Sequence, residues 1–217
     1  MIMNKDNLLD YLPHVLLLGP GPSSVAPSTY HALSQPTLGH LDPYLFGIMD
    51  EVKVGLRELF GTQNELTIAL SGTGSSGMEA AFTNIVEPGD KVLVLVNGFF
   101  AGRMAEVAGR LGAQITQMES PWGEALPLEQ VAEQLQRDKY DIVAMVQAET
   151  STGVLNPVAK VGALLKDYGA LFVIDAVTSL GGVPVLADQW GADVVYSCSQ
   201  KGLACAPGLA PIALTIR

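Results

Sequence analysis

The stretch Leu171-Phe172-Val173-Ile174-Asp175 and the later run Ala192-Asp193-Val194-Val195-Tyr196 decide the fold of this 217-residue chain. Each run is short and mostly apolar, and neither shows the strict alternation of a half-buried strand. Such runs are typical of strands that are buried on both faces of a sheet. We therefore expect two buried strands that run out into loops at the mouth of one sheet.

The same strand pattern recurs along the rest of the chain. Further strands are predicted at Leu66–Leu70, Lys91–Val96, Gln114–Met118, Asp141–Val146 and Pro211–Ile216. An amphipathic helix is predicted at Pro43–Phe60, and helical stretches lie between most strands, at roughly 75–86, 100–112, 127–137 and 158–168. This alternation predicts an α/β fold, a three-layer α/β/α domain with a mostly parallel sheet. In such sheets, ligands bind beyond the carboxyl ends of the strands.

Composition narrows the class of protein. The chain is 48% hydrophobic and carries a net charge of −10, which disfavours nucleic acid and anionic membrane as partners. We find no apolar stretch of the roughly 18 residues needed to span a bilayer, and no signal-peptide pattern at the N-terminus. Two cysteines make a disulfide framework improbable, so a cytoplasmic location is expected. The histidines and cysteines show no metal-ligand spacing, and no metal site is predicted.

A lysine and an aspartate follow the two apolar runs that open this section. Asp175 ends the first run, and Lys201 follows the second in Ser199-Gln200-Lys201-Gly202. A lysine and a carboxylate at one sheet edge are the groups needed to hold pyridoxal phosphate (PLP), because the lysine forms an imine and the carboxylate keeps the ring nitrogen protonated. The alternatives are a surface lysine and a helix-capping or turn aspartate.

A glycine-rich segment, Ser71-Gly72-Thr73-Gly74-Ser75-Ser76-Gly77, follows a predicted strand and opens a helix. Free amides at a helix N-terminus favour a phosphate group. The glycines also match the pattern GxGxxG of dinucleotide-binding proteins, but the acidic residue expected after the next strand is missing, because that strand ends in Val96-Asn97-Gly98. A simple phosphate site and a plain strand-to-helix turn remain the main interpretations, and a nicotinamide-binding domain is a further alternative that the missing acid argues against.

Further polar and aromatic residues are predicted at the same edge. Phe100 follows a strand and could stack on a flat cofactor. Thr150 belongs to Glu149-Thr150-Ser151-Thr152-Gly153, which follows the strand at Asp141–Val146. His40 lies on a loop and is predicted to reach the site, whereas His14 and His31 are interpreted as structural or surface residues.

Taken together, these segments resemble the class V aminotransferases among the fold-type-I PLP enzymes, and in particular the alanine–glyoxylate / serine–pyruvate aminotransferase branch. The likeness runs from Leu17 to the end of the chain. It is carried by eight groups of residues in order, which are Leu18-Gly19-Pro20-Gly21-Pro22-Ser23, Gly39-His40-Leu41-Asp42-Pro43, Ser71-Gly72-Thr73-Gly74, Glu87-Pro88-Gly89-Asp90, Asn97-Gly98, Ser151-Thr152-Gly153-Val154, Asp175 with Ser179-Leu180-Gly181-Gly182, and Tyr196-Ser197 with Ser199-Gln200-Lys201.

The resemblance implies roles for individual residues. Lys201 and Asp175 are the implied catalytic pair: Lys201 forms the internal aldimine and moves the proton between the substrate Cα and C4′ of PLP, and Asp175 pairs with the pyridine nitrogen. The resemblance implies that Gly21 and the adjoining loop line the substrate pocket, and the loop residue His40 is also predicted to bind the substrate. The remaining implied PLP contacts are Thr73, Gly74 and Ser75 at the phosphate with Gln200 nearby, Phe100 stacked on the ring, and Thr150 near the ring's phenolic oxygen.

The resemblance also implies a function and an organisation. It implies a PLP-dependent transaminase that moves an amino group from alanine or serine to glyoxylate or pyruvate by a ping-pong route, and that acts as a homodimer. A cysteine desulfurase-like or other class V lyase and an inactive PLP-binding fragment remain open. We expect residues 1–25 to be an arm and substrate-side loop, and 26–217 to be a large PLP-binding domain. Since the family continues past this point with a C-terminal small domain, we expect a truncated chain.

Overall fold

The computed structural model describes residues 12–215. Its strands are β1 (Leu66–Gly72), β2 (Lys91–Val96), β3 (Gln114–Glu119), β4 (Ile142–Val146), β5 (Ala148–Glu149), β6 (Val154–Leu155), β7 (Leu171–Asp175), β8 (Val194–Tyr196) and β9 (Gly208–Leu214). Its helices are α1 (Pro27–Leu33), α2 (Pro43–Phe60), α3 (Gly74–Ile85), α4 (Phe99–Arg110), α5 (Leu128–Arg137), α6 (Val158–Leu165) and α7 (Ala187–Trp190).

The central sheet has seven strands in the order β1-β9-β8-β7-β4-β2-β3. The strands from β8 to β3 pair in parallel, whereas β9 runs antiparallel to both β1 and β8. The prediction of a mostly parallel sheet is therefore confirmed. Because the parallel strands all run in one direction, the loops that follow β2, β7 and β8 meet at one edge of the sheet.

Helices cover the sheet on both faces, which confirms the three-layer prediction. Helices α3 and α4 pack on one face, where Phe82 and Met104 are fully buried. Helices α2, α5 and α6 pack on the other face, where Phe60 and Val161 are fully buried. The interior strands are apolar throughout because each of their faces contacts a helix layer.

The structure differs from the predicted elements mainly at their ends. Strand β9 begins at Gly208 rather than Pro211, because its ladder with β1 runs from Gly208 to Leu214. Its ladder with β8 covers only Ile212 to Leu214, although the Ser197 and Ser199 amides just after β8 also donate to the Pro211 and Leu209 carbonyls. Ile216, the predicted end of that strand, lies outside the described residues. The sequence patterns did not indicate the short hairpin of β5 and β6 or the single turn α7, because two or four residues are too few to show a period.

The segment before α1 lies against the loop that carries Lys201. The Ser23 amide donates to the Gln200 carbonyl at 2.8 Å, and the Ala26 amide donates to the Ala204 carbonyl at 3.0 Å. The division at residues 1–25 and 26–217 stays a prediction, and residues 1–11 lie outside the described part of the chain. Within residues 12–215, no helix combines the length and apolar character needed to cross a bilayer.

Candidate active site

One cavity at the carboxyl edge of the sheet gathers the residues predicted to bind the cofactor. It has a volume of about 210 Å³. Other cavities are larger, among them three of about 620, 590 and 350 Å³, but none of these three includes Asp175 or Lys201. Chemistry rather than size therefore identifies the candidate site. The cavity is lined by Thr73, Gly74, Ser75, Met78, Phe100, Arg103, Thr150, Asp175, Val177, Gln200 and Lys201.

Asp175 ends β7 and is only 2% exposed. Its Oδ1 accepts a hydrogen bond from the Val177 amide at 2.8 Å, and its Oδ2 accepts one from the Tyr196 hydroxyl at 2.9 Å. Burial raises the pKa of Asp175 from 3.8 to about 6; its two hydrogen bonds act in the opposite direction, and the nearby Glu149 raises the pKa further. A buried carboxylate is costly without a cation, and Asp175 takes part in none of the ion pairs found within residues 12–215.

Lys201 is half-buried on the loop after β8. Its Nζ donates to the Pro20 carbonyl at 2.5 Å, and Ser23 Oγ donates to the Lys201 carbonyl. A Cβ atom on Gly21 would lie 2.6 Å from Lys201 Nζ. The φ angle of Gly21 is +123°, a backbone conformation that residues other than glycine rarely adopt. The segment around Gly21 therefore fits closely over the lysine because residue 21 has no side chain.

The N-terminus of α3 forms the wall next to these two groups. Thr73 precedes the helix, and its amide donates to Ser76 Oγ at 3.4 Å. The first N–H groups of a helix have no partner within the helix, and together with the helix dipole they favour an anion. Gly74 and Ser75 begin the helix and line the cavity, so the structure brings the predicted phosphate-binding residues to this wall.

Phe100 lies in the first turn of α4 and lines the cavity from another side. The start of α4 is held by Glu149, which is fully buried. Glu149 Oε2 accepts from the Ala101 amide at 3.1 Å, and Oε1 accepts from the Phe100 amide at 3.4 Å and from Ser151 Oγ at 2.8 Å. A carboxylate from a different element therefore caps the helix that carries the Phe100 ring.

The other predicted residues fall into two groups. Thr150 lines the cavity and its hydroxyl pairs with that of Thr178. Gln200 also lines the cavity, and its buried Oε1 has no hydrogen-bond partner within residues 12–215. Gly21 contacts Lys201 without lining this cavity, and His40 is exposed and outside it. The structure thus brings together the cofactor set but does not bring His40 to it.

These residues fit PLP by the chemistry of their donor set. The α3 amides suit its phosphate, the unpaired carboxylate of Asp175 suits a protonated ring nitrogen, and Lys201 supplies a primary amine. Phe100 and Val177 offer apolar surface to a planar ring. The unsatisfied Oε1 of Gln200 adds a polar atom that a bound group could satisfy.

Sequence reasoning gave no role to five residues that shape this site, including Met78 and Arg103, which line the cavity. Val177 was named only as part of the stretch after Asp175, Tyr196 only as a strand end within a family motif, and Glu149 only as part of a polar turn. The available signal for these last three was weak, because each is marked only by its place at or within three residues of a predicted strand end. Which strand ends are neighbours depends on the strand order, and a single sequence does not reveal that order.

Comparison with known proteins identifies the family. The family model for class V aminotransferases matches residues 28–213. Alanine–glyoxylate aminotransferase of Rattus norvegicus is 45% identical over 201 residues, which is 93% of this chain and 49% of the rat protein. The chain therefore spans about half the length of the curated relatives it matches.

Solved structures agree with this match. The crystal structure of alanine–glyoxylate aminotransferase from Nostoc sp. has a TM-score of 0.91 and 48% sequence identity, and the alignment covers 94% of this chain and 54% of that one. Ureidoglycine–glyoxylate aminotransferase from Bacillus subtilis has a TM-score of 0.92 and 37% identity, with coverage of 94% and 53%. The chain belongs to the class V aminotransferases, a PLP-dependent family of fold-type-I enzymes.

Proposed function

We propose that this chain provides the cofactor-binding part of a PLP-dependent transaminase. The observation that carries the proposal is the single cavity in which Lys201, the buried Asp175 and the N-terminus of α3 meet. Bound PLP would supply an electron sink for the negative charge that develops at the substrate Cα. The protein's own residues would hold, orient and exchange protons with the reacting groups.

Each residue has a task in this proposal. Lys201 is the covalent attachment point of the cofactor and the base that moves the proton at the substrate Cα. Asp175 holds the proton on the ring nitrogen, and Phe100 packs against the ring. The remaining contacts, at the phosphate and at the phenolic oxygen, fall to Thr73, Gly74, Ser75, Gln200 and Thr150.

For the substrates, we infer alanine or serine as the amino donor and glyoxylate or pyruvate as the acceptor, in two successive half-reactions of a ping-pong route. The support is that similar proteins include transaminases named for alanine with glyoxylate and for ureidoglycine with glyoxylate. Gly21 lies at the lysine and is proposed to line the substrate side. For His40, the only support for a place on the substrate side is its position on a loop, since its side chain is exposed and does not line the cavity.

We further propose that the protein is a cytoplasmic homodimer. Both cysteines, Cys198 and Cys205, are free thiols, which suits a reducing compartment. Helix α2 exposes large apolar side chains along its N-terminal half, among them Ile48 at 50% and Val52 at 43%. An apolar stripe of this kind on a helix favours burial against a second protein surface, and a second copy of this chain is the proposed occupant.

The first experiment is a titration of the purified chain with PLP, followed by visible absorbance. We expect an absorption band from the lysine-linked cofactor, because Lys201 lies in the same cavity as Asp175. The variant Lys201→Ala should abolish this band, whereas Lys160→Ala, which changes an exposed lysine on α6, should keep it. A wild-type chain that shows no such band would exclude the proposal.

A second measurement addresses the reaction. The PLP-loaded chain is mixed with alanine and glyoxylate, and pyruvate and glycine are assayed. A parallel sample with cysteine and a thiol reductant, which supplies the two electrons needed to release sulfide, is assayed for sulfide and alanine. Transamination products support the proposal, and sulfide release would support the lyase alternative. PLP binding with no product in either sample would support the binding-fragment alternative.

A further inference from the structure

Tyr196 stands beside Asp175 because of strand register. The two residues are direct partners in the parallel pair of β7 and β8, so their side chains lie on the same face of the sheet. The Tyr196 hydroxyl donates to Asp175 Oδ2 at 2.9 Å, and Tyr196 is fully buried. Neither the reaction outlined above nor the sequence patterns give this tyrosine a task.

The surroundings of Asp175 make this hydrogen bond important. Its two oxygens accept hydrogen bonds from different groups, the Val177 amide and the Tyr196 hydroxyl. Because each oxygen has its own donor, the orientation of the carboxylate is fixed. The titratable groups that interact with Asp175 are Glu149 from β5, Tyr196 from β8, and Cys198 after β8, while Lys201 and Arg103 of α4 line the same cavity. Of the groups named here, Tyr196 is the one whose side chain donates a hydrogen bond to the carboxylate.

Tyr196 is suited to remain a donor. Burial and the neighbouring Asp175 raise the pKa of its phenol well above the ordinary value, so the hydroxyl keeps its proton at physiological pH. A donor that cannot ionise stabilises the carboxylate without adding charge to a buried site. A cation in the same place would neutralise Asp175 and compete with a protonated cofactor nitrogen.

We propose that Tyr196 is a positioning residue: its hydroxyl holds the Asp175 carboxylate ionised and in one orientation, ready for the protonated ring nitrogen of PLP. The role toward PLP rests on the proposed function. The link between Tyr196 and Asp175 does not, and it can be measured in the cofactor-free protein.

The test uses the full chain with aspartate labelled by ¹³C at Cγ, and follows the Asp175 carboxyl signal by NMR as a function of pH. The signal is assigned by its loss in Asp175→Asn. Removing the hydroxyl in Tyr196→Phe removes a hydrogen bond that favours the ionised form, so the Asp175 titration should move upward by about one pH unit. An Asp175 titration that is unchanged in Tyr196→Phe would overturn the proposal.

Two further samples separate this effect from a change in folding. Tyr140→Phe removes another buried tyrosine hydroxyl, one that pairs with Gln134 away from the cavity, and should leave the Asp175 titration unchanged. If Tyr196→Phe does not fold, the wild-type chain is produced with 3-fluorotyrosine. Its more acidic phenol is a stronger donor, so the Asp175 titration should then move downward, and an unchanged titration would count against the proposal.

PLP affinity supplies the second readout, in a double-mutant cycle. Tyr196→Phe should weaken PLP binding about tenfold in the otherwise unaltered chain, the size expected for one hydrogen bond to a charged group. In the Asp175→Asn background the same change should weaken binding less than about twofold. Equal losses in both backgrounds would show that Tyr196 does not act through Asp175. A wild-type chain that binds no PLP would refute the proposed function, and the NMR titration would still decide the role of Tyr196.

Discussion

Asp175 shows how a residue of the proposed cofactor site can lower the stability of the fold. Its carboxylate is 2% exposed, its two hydrogen bonds come from neutral donors, and the neighbouring Glu149 is another acid that raises its pKa further. Folding removes the charge from water with only partial compensation, and this raises the pKa. A protein selected for stability alone would gain by replacing such a carboxylate.

We therefore expect Asp175→Asn to stabilise the cofactor-free protein at neutral and basic pH. The folded pKa of about 6 lies above the ordinary 3.8, so the folded state holds a proton that the unfolded state has lost, and the stability contributed by Asp175 falls as pH rises through this range. The rise in pKa from 3.8 to about 6 corresponds to a loss of about 3 kcal/mol in the free energy of unfolding at pH values above the folded pKa.

Chemical denaturation of both proteins between pH 4 and 8 measures this effect. Asp175→Asn should be more stable by about 1–3 kcal/mol at pH 8, and the advantage should shrink toward pH 4, where Asp175 is protonated in the folded state and partly protonated in the unfolded state. A difference between the two proteins that does not change with pH would contradict the assignment of the raised pKa to Asp175.

Among the elements, α4 shows why the Asn97-Gly98 dipeptide precedes the helix that carries Phe100. The helix has no cap from its own N-terminal residue, and Glu149 on β5 accepts from the Phe100 and Ala101 amides instead. A Cβ atom on Gly98 would lie 2.3 Å from Glu149 Cγ and 2.6 Å from Ser151 Oγ. The backbone of Gly98 is extended, so glycine is needed there for space rather than for its φ angle.

Gly98→Ala should therefore destabilise the protein by about 1–3 kcal/mol, because the buried Glu149 must move away from the helix amides. Gly102→Ala is the matched control on the same helix. A Cβ atom there meets nothing within 4 Å, and alanine should stabilise the helix by about 0.5–1 kcal/mol. Thermal or chemical unfolding of both variants tests the pair, and a Gly98→Ala protein as stable as Gly102→Ala would contradict this account of Glu149.

At the scale of the whole molecule, the apolar stripe along α2 is buried in the core at one end and exposed at the other. Leu56 and Phe60, at its C-terminal end, pack into the core, whereas Ile48 and Val52, four residues apart on the same stripe, are about half exposed. The segment from Leu12 to Leu18 also exposes apolar side chains. This uncovered surface is the structural support for the proposed homodimer.

A charge placed on the exposed part of the stripe should therefore prevent association. We expect Val52→Lys to shift the chain toward a monomer in sedimentation or light-scattering measurements over a concentration series, because the interface would bury an unpaired ammonium group. The control is Glu51→Lys, which changes the exposed residue next to Val52 and alters the net charge by two units instead of one. This variant should associate as the wild type does. Loss of association in both variants would point to net charge rather than to the stripe.

The sequence-based predictions succeeded where the signal is local and periodic. The run Lys91–Val96 was predicted with both ends correct, and the helix Pro43–Phe60 likewise, since its bounds are marked by proline after Asp42 and by Gly61. They were less accurate where pairing sets the boundary. Strand β9 extends back to Gly208 because β1 is there to pair with it, and nothing in residues 208–210 indicates that partner.

The amino-acid sequence by itself determined the α/β class, the strand that ends at Asp175, the strand that precedes the Lys201 loop, the glycine-rich start of a helix after β1, and the resemblance to class V aminotransferases. Periodicity and residue type carry that information along the chain. Only the tertiary structure decided that Tyr196 donates to Asp175, that Glu149 caps α4, that Gly21 contacts Lys201, and that His40 stays outside the cavity. The three contacts join segments far apart in sequence. The order and register of the strands bring Tyr196 to Asp175 and Glu149 to α4, and hydrogen bonds between the segment before α1 and the Lys201 loop bring Gly21 to the lysine.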